Sequence, residues 1–436
     1  MEKMYRQIRV HQDDLNFQRI FWINQNKDVI TYQLTTVTYG LACAPFLALR
    51  TITQLIDDEG TKFPLAVPAL TKGRYVDDIF GGSDSISHVK EIVDQVNSLC
   101  EAGGFPLQKW ISNHPEILSS IPLEKQANSL LVQFDKSTTI HVLGLNWNPS
   151  LDTFYFSVTT SLPTIFTKRN ILSTIAKIFD PLGLLSPIII TAKIFIQELW
   201  SIKLGWDDPL PQQISTKWST FIKLFQDIPK LNFPRWINFN STHPFELHGF
   251  CDASQKAMCA TVYIRSTNQD GEIITELICS KTKVAPLKKM TIPRLELSGA
   301  VLLTKLISRV LQTLKPHHRT IFLWTDSIVV YTWINNHSSR WKEFVHNRVC
   351  YIHEALPQAI WKFIPGIDNP ADCATRGLSP CQLIKHMIWW SGPTWLRQDP
   401  AAWPQAPQTV SHKENLEERA SCKTQLDLKF GHVSHQ

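Results

Sequence analysis

At 436 residues, the chain is too long for one ordinary core, and two to four domains are expected. Hydrophobic residues make up 43% and charged residues 19%, which excludes a mainly disordered chain. The net charge of +6 suits contact with phosphate backbones without requiring it.

Nine scattered cysteines, Cys43 to Cys422, include no C-x-x-C pair, so they read as buried thiols in a reducing compartment. The N-terminus lacks the apolar stretch of a signal peptide. The most apolar run, GLLSPIIITAKIFIQELW, is broken by Pro187, Lys193 and Glu198, so no membrane span is implied. The many tryptophans read first as large core side chains.

Residues 1–148 alternate short β-rich segments such as VITYQLTT with helical ones such as SHVKEIVDQVNSLCEA, where Val89, Ile92, Val93, Val96 and Leu99 recur at helical spacing. This mixture predicts an α+β domain. Residues 149–243 turn helical, with KRNILSTIAKIFDPLGLLSP and AKIFIQELWSIKL separated by Pro-Leu-Gly and Ser-Pro breaks, and read as a connecting, thumb-like module. Residues 244–380 open with ELHGFCDASQKAMCATVYIRS and GEIITELICSKTK, which read as neighbouring strands joined through the turn STNQDG. A long helix follows over TIPRLELSGAVLLTKLISRVLQTL, with Pro293 at its start and Leu303, Leu306, Val310 and Leu314 on one stripe. TIFLWTDSIVVYTWINN reads as a strand entering a helix, and WKFIPGIDNPADCATRG as a strand, a turn and a final helix. Residues 381–436 are expected to form a largely irregular tail, polar and without periodicity from about 405. The expected fold class is therefore α/β and multidomain.

Two groups of carboxylates stand out. In Arg74-Tyr75-Val76-Asp77-Asp78-Ile79-Phe80, adjacent acids between β-formers fit a hairpin with Asp at its turn. An ordinary solvated turn would look the same. The functional alternative is a rigid tip that holds a carboxylate beside divalent cations for nucleotidyl transfer. In the second group, Asp252, Glu296, Asp326 and Asp372 each lie where an element begins or ends. Singly, each reads as a cap, a turn residue or a surface charge. Together, backed by the apolar runs TVYI and IFLW, they should converge at one sheet edge, where cations relieve their repulsion.

The order of TVTYGLACAPF, RYVDDIF, GGFPLQKWISN and VLGLNWNP resembles the reverse transcriptases of LTR retrotransposons. The wording MYRQIRV, TYGLACAPF, RYVDDIF, FPLQKWISN and GLNWNP is similar to the BEL/Pao group, and the likeness continues over about residues 1 to 400. The resemblance implies a truncated reverse transcriptase palm, a helical connection or thumb, and an RNase H-like α/β domain. It implies Asp77 as a metal ligand with Asp78 beside it, and Tyr5 as an aromatic gate against the ribose 2′-hydroxyl. Gly40, Ala44 and Pro45 would lie under template and incoming nucleotide, and Lys109 near the triphosphate. In the family, the segment before Met-Tyr-Arg-Gln begins with an aspartate that supplies another metal carboxylate. Aligned here, it falls just before Met1, so the polymerase is expected to be incomplete and Met1 to be internal to a longer polyprotein.

GFCDAS, RLELSGA, LWTDS and NPADCATRG resemble the Asp, Glu, Asp, Asp set of RNase H, which implies Asp252, Glu296, Asp326 and Asp372 as ligands of two Mg²⁺ or Mn²⁺ ions and cleavage of RNA in RNA/DNA hybrids. Many relatives carry a histidine before the last acid, and IPGIDNPAD has none. Lys281, Lys283, Lys288, Lys289 and Arg294 are candidates to grip phosphates, with a solubilising patch as the alternative. Trp333, Trp341 and Asn347 stand where they would border the duplex, although core packing is the plainer reading for the tryptophans.

The implied partners are an RNA/DNA hybrid, template-primer, dNTPs and other pol and gag products of the element, in a cytoplasmic virus-like particle or the nucleus. An aspartic peptidase is excluded for want of Asp-Thr-Gly or Asp-Ser-Gly, and an integrase because His412, Cys422, His432 and His435 lack zinc-module spacing. The rival is a catalytically inactive or host-retained remnant that only binds nucleic acid.

Overall fold

A computed structural model describes residues 1–127, 140–158, 165–237, 244–268, 270–314, 319–406 and 417–419. Cys422, His412, His432, His435 and most of the expected polar tail lie outside the described residues. The chain divides into two units, one of Met1–Ile140 with Asn148–Asp152, the other of His141–Trp147 with Thr153–Gln436.

The first unit begins with an antiparallel pair, β1 (Arg19–Ile23) and β2 (Val29–Gln33), exposed along both strands. Its core lies under α1 (Ala44–Glu59), α2 (Ala66–Thr71) and α3 (Ile86–Ala102), where Ile52, Leu70, Val96 and Leu99 are buried. The helical stripe expected for α3 is present: Val93, Val96 and Leu99 face inward, with Val89 and Ile92 at its margin. Between α2 and α3, β3 (Arg74–Tyr75) and β4 (Asp78–Ile79) form a short hairpin, and α4 (Pro115–Leu118) follows α3.

A small sheet, most of whose residues belong to the second unit, has the order β5-β6-β7-β8, from Ile140–Val142, Leu145–Asn148, Thr153–Tyr155 and Asn232–Pro234. Among the described residues, three α-helices lie between β7 and β8: α5 (Lys168–Ala176), α6 (Ser186–Ser201) and α7 (Gln212–Lys223). A reciprocal cap starts α5, with Thr167 and Asn170 bonding each other's backbone N–H, and Pro187 opens α6 where its missing N–H costs nothing.

The main sheet has five strands: β9 (Phe245–Ala253), β10 (Ala257–Thr267), β11 (Ile273–Val284), β12 (Arg319–Thr325) and β13 (Ile360–Phe363), in the order β11-β10-β9-β12-β13. The first three pair antiparallel, and β12 runs parallel to both β9 and β13. Between β11 and β12 lies α8 (Ile292–Leu314), between β12 and β13 lie α9 (Ile328–Asn335) and α10 (Glu343–Ala355), and α11 (Cys373–Arg376), α12 (Pro380–Ile384) and α13 (Met387–Ser391) close the segment. By length and apolarity α8 would suffice to cross a membrane, but half of it is buried, packed on the sheet through Leu297, Leu303 and Ile307.

Strand alternation sends side chains to opposite faces. Leu247, Cys251, Ile321 and Leu323 join α8 and α10 in one core, whereas Phe250 and Trp324 join Ile171, Ile188, Trp218 and Trp389 in another. A sheet covered on both faces explains why every residue of β9 except the half-buried Glu246 is buried.

Two expectations change here. Residues 149–243 do not form a separate connecting module, because α5 to α7 and the main sheet share one core within one unit. Residues 381–403 are not an irregular tail: Trp389, Trp395 and Trp403 are buried in that same core, and Trp389 Nε1 donates to Leu184 O at 3.0 Å. Aromatic residues at irregular spacing, separated by proline, left no period to read. Trp389→Ala is expected to cost about 3–5 kcal/mol by opening a cavity and orphaning the Leu184 carbonyl, which chemical denaturation of the full chain would measure.

The Asp-Pro-Leu-Gly loop before α6 has its own reason. Gly183 has φ +75°, and a Cβ there would lie 2.1 Å from Ser280 O, while Ser280 N donates to Leu182 O at 2.8 Å. Only glycine lets this loop press against β11 and cover an edge strand.

Candidate active site

Four separate elements carry the acids of the second group. Asp252 lies near the end of β9, Glu296 in the first turns of α8, Asp326 just past β12, and Asp372 at the N-cap of α11. The parallel pairing of β9 with β12 sets Thr325 opposite Cys251, so the next residue of each strand is an aspartate at the same sheet edge.

These carboxylates feel one another. Burial, then the charges of Asp252 and Glu296, push Asp326 up to about 7 against the opposing hydrogen bond from Asn369. Burial raises Asp252, with Asp372 adding to it and the Thr375 hydroxyl opposing it. Burial raises Glu296 too, countered by the Ser327 hydroxyl and reinforced by Asp252. High proton affinity in a group of buried carboxylates is also affinity for other cations, and an all-oxygen set fits hard divalent ions. Among the described residues, however, no three His, Cys, Asp or Glu are gathered as the ligands of one ion. The acids form an open collar, coupled through charge.

Supporting groups hold each acid. Thr375 Oγ1 donates to Asp252 Oδ2 and lies 3.0 Å from Asp372 O. Asn369 Nδ2 donates to Cys251 O at 3.0 Å, which fixes the loop from which it also reaches Asp326. Ser327 caps α9 by accepting from Val330 N at 3.2 Å while bonding Glu296. Arg376 Nη2 pairs with Asp372 Oδ1 at 2.7 Å.

Sequence reading missed Thr375, Ser327, Asn369 and Arg376, although each adjoins or lies within a quoted motif; spacing did not show that their side chains point to the acids. No histidine precedes Asp372 in its loop, but His386, between α12 and α13, lies within reach of that carboxylate's charge. Burial lowers its pKa and Asp372 raises it, with burial dominant.

Trp333 and Trp341 do not border a duplex: both are buried, with Trp341 Nε1 donating to Trp333 O at 2.9 Å. Asn347, Lys281, Lys283, Lys288 and Lys289 are exposed, and Arg294 is half-buried.

In the first unit, Tyr75 pairs with Asp78, leaving Val76 and Asp77 as the hairpin turn. Asp77 and Asp78 are exposed. Val76 has φ +54°, a strained conformation for a β-branched residue, and packs partly against the unit's core. The Met1 ammonium donates to Asp77 O at 2.7 Å. Tyr5 is half-buried with its ring edge-on to Tyr39 at 4.9 Å. Gly40, at φ +88°, is exposed ahead of α1, Ala44 is buried at the start of that helix, and Pro45 is exposed beside it. Lys109 is exposed at φ +60°.

A mixed sheet of this order, with acids from β9, α8, β12 and α11 at one edge, is an RNase H-like α/β fold. Residues 167–327 match the family model described as the Pao retrotransposon-like RNaseH-like domain. That segment of the second unit is thus similar to Pao-type retroelement sequences.

No curated protein matches the chain. Among solved structures, the foamy viral protease-reverse transcriptase dRH in complex with dsDNA is 14% identical at TM-score 0.46, over 82% of this chain and 54% of that one. The foamy viral protease-reverse transcriptase with RNA/DNA hybrid is 14% identical at TM-score 0.45, over 84% of this chain and 43% of that one. RNase H1 from the archaeon Halobacterium salinarum NRC-1 is 13% identical at TM-score 0.21, over 29% of this chain and 90% of that one. The chain thus spans about half the length of the two foamy viral structures. Likeness at these levels assigns no residue its role.

Proposed function

We propose that the second unit is a ribonuclease H that cleaves the RNA strand of RNA/DNA hybrids using two Mg²⁺ or Mn²⁺ ions. The observation that carries this reading is the convergence of Asp252, Glu296, Asp326 and Asp372 from four elements into one charge-coupled collar. When bound between these carboxylates, the cations would activate a water and stabilise the leaving 3′ oxygen. The chain's own groups do the positioning. Thr375 holds Asp252, Ser327 holds Glu296, Asn369 holds Asp326, and Arg376 steadies Asp372. A hybrid suits such a site because its wide minor groove presents 2′-hydroxyls on one strand, so RNA is chosen by shape. The exposed Lys281, Lys283, Lys288 and Lys289 are proposed to meet its phosphates.

For the first unit, the proposal is a palm-like surface for template-primer and dNTPs, with Asp77 and Asp78 at the hairpin, Tyr5 as the gate, and Gly40, Ala44, Pro45 and Lys109 around it. The motif order and the exposed Asp77 turn support this. Other products of the element as partners, and a cytoplasmic particle as location, follow from the retroelement kinship alone.

The open spacing of the collar favours a second reading, a remnant that binds nucleic acid without chemistry. Labelled hybrid incubated with the full chain and Mg²⁺ or Mn²⁺ decides between them. Cleavage of the RNA strand that Glu296→Gln abolishes is the expected result; a folded chain that binds hybrid and leaves it intact establishes the remnant.

A further inference from the structure

Residues 417–419 lie against α8 and the approach to α10, and they bring acids to a group of arginines. Arg294 Nε donates to Glu417 Oε1 at 2.7 Å and Arg340 Nε to Glu418 Oε1 at 2.6 Å. The backbone adds to this contact: Lys342 N donates to Glu417 O at 2.7 Å, Arg419 N to Arg340 O at 2.9 Å, and Trp341 bridges antiparallel to Glu418. A third cation stands behind them. The guanidinium carbons of Arg294 and Arg348 lie 4.7 and 3.5 Å from the centre of the same Phe344 ring.

Arg294 and Arg348, on the same ring, repel one another and need an anion, yet the anion beside Arg294 is imperfect. Glu417 Oε2 is buried without a hydrogen-bond partner, where a pair built only for stability would satisfy both oxygens. Forked guanidinium donors suit phosphodiester oxygens at least as well as carboxylates. Arg294 lies two residues from Glu296 on α8, near the collar along the chain but on another side of the helix.

We propose that Arg294 and Arg340, backed by Arg348, form a cradle for a nucleic-acid phosphodiester, and that Glu417 and Glu418 of the same chain occupy it in competition with the nucleic acid. This rests on the nuclease reading of the neighbouring collar. The two acids mimic the charge of a strand at high local concentration, so they weaken binding of nucleic acid and must leave before a hybrid seats fully.

The test is fluorescence anisotropy of a labelled RNA/DNA hybrid with the full chain in chelator, where binding is read without cleavage. Glu417→Gln/Glu418→Gln, and independently Glu417→Ala/Glu418→Ala, should tighten binding by about tenfold and steepen its salt dependence by about two phosphate contacts. Adding Arg294→Gln and Arg340→Gln to either variant should return the affinity to the wild-type level or below. The proposal is overturned if both acid variants unfold at the wild-type temperature and bind hybrid no more tightly, while the wild type binds and, with Mg²⁺, cuts it. That outcome makes the contact a structural latch and leaves the nuclease standing. If no form binds or cuts hybrid, the nuclease reading itself falls, and the cradle with it.

Discussion

Asp326→Asn should lower hybrid cleavage by about a thousandfold or more, through loss of several kcal/mol of cation-held charge stabilisation, while making the chelated protein harder to melt at neutral pH. The second effect follows from the raised Asp326 pKa of about 7. Below about pH 4 the carboxyl is neutral in both folded and unfolded chains, and its full contribution to stability is present. As the pH climbs towards 7, the unfolded chain gives up its proton first, and the folded state loses relative stability.

In chelator, the wild type should therefore melt lower at pH 7.5 than at pH 5.5, by on the order of 5 °C, and Asp326→Asn should flatten much of that difference. Asp252 and Glu296 are raised in the same direction, so the curve belongs to the coupled set. Mg²⁺ should do at pH 7.5 what protons do at pH 5.5, raising the wild-type melting temperature and leaving the variant nearly unmoved. Scanning calorimetry across pH, with and without Mg²⁺, measures all of this. Identical pH profiles for wild type and variant would show that the collar stores no repulsion.

Gly377→Ala is expected to cost about 2–4 kcal/mol and to take hybrid cleavage with it. Gly377 follows α11 with φ 92° and ψ 146°, a conformation nearly confined to glycine. A Cβ there would lie 2.3 Å from Thr191 Oγ1 on α6, and Leu378 N donates to Pro187 O at 2.9 Å beside it. The helix that begins at Asp372 is thus pressed directly onto α6. A methyl group at Gly377 must push the two apart, moving Asp372 from the other acids. Adding Thr191→Ala removes the collision but not the backbone strain, so it should restore about half of the stability. Denaturant unfolding and cleavage rates of the two variants check this; an alanine tolerated in both measurements would refute the close docking of α6.

Much of the main sheet was legible, because its signals are local. The extended character of the segments that become β9 to β11, the long stripe of α8 with Pro293 at its start, and acids at element ends are legible along the chain, whereas the break between β9 and β10 is not. The RYVDDIF segment likewise forms a hairpin, although which residue takes the left-handed turn position, Val76, cannot be read from β-propensity. What failed depends on long-range packing. Nothing near Ile171 or Trp218 says that they will cover Phe250 and Trp324, and nothing near Trp403 says that it will pack beside His248, at 5.1 Å. The roles of Ser327 and Thr375 were hidden for the same reason: a hydroxyl beside an acid motif is as often a cap as a hydrogen-bond donor to another element's carboxylate.

The core shared by α5 to α7, the sheet and the last tryptophans sets a schedule for synthesis. β9 is flanked by partners made before it and by Trp389, Trp395 and Trp403, made more than a hundred residues after it. While these remain in the ribosome, Phe250 and Trp324 lack part of their cover, and the half-built sheet is open to misfolding and aggregation. Any protease that releases this domain from a longer translation product must therefore cut after Trp403, and an expression boundary drawn at residue 380 would remove the side chains that close the fold.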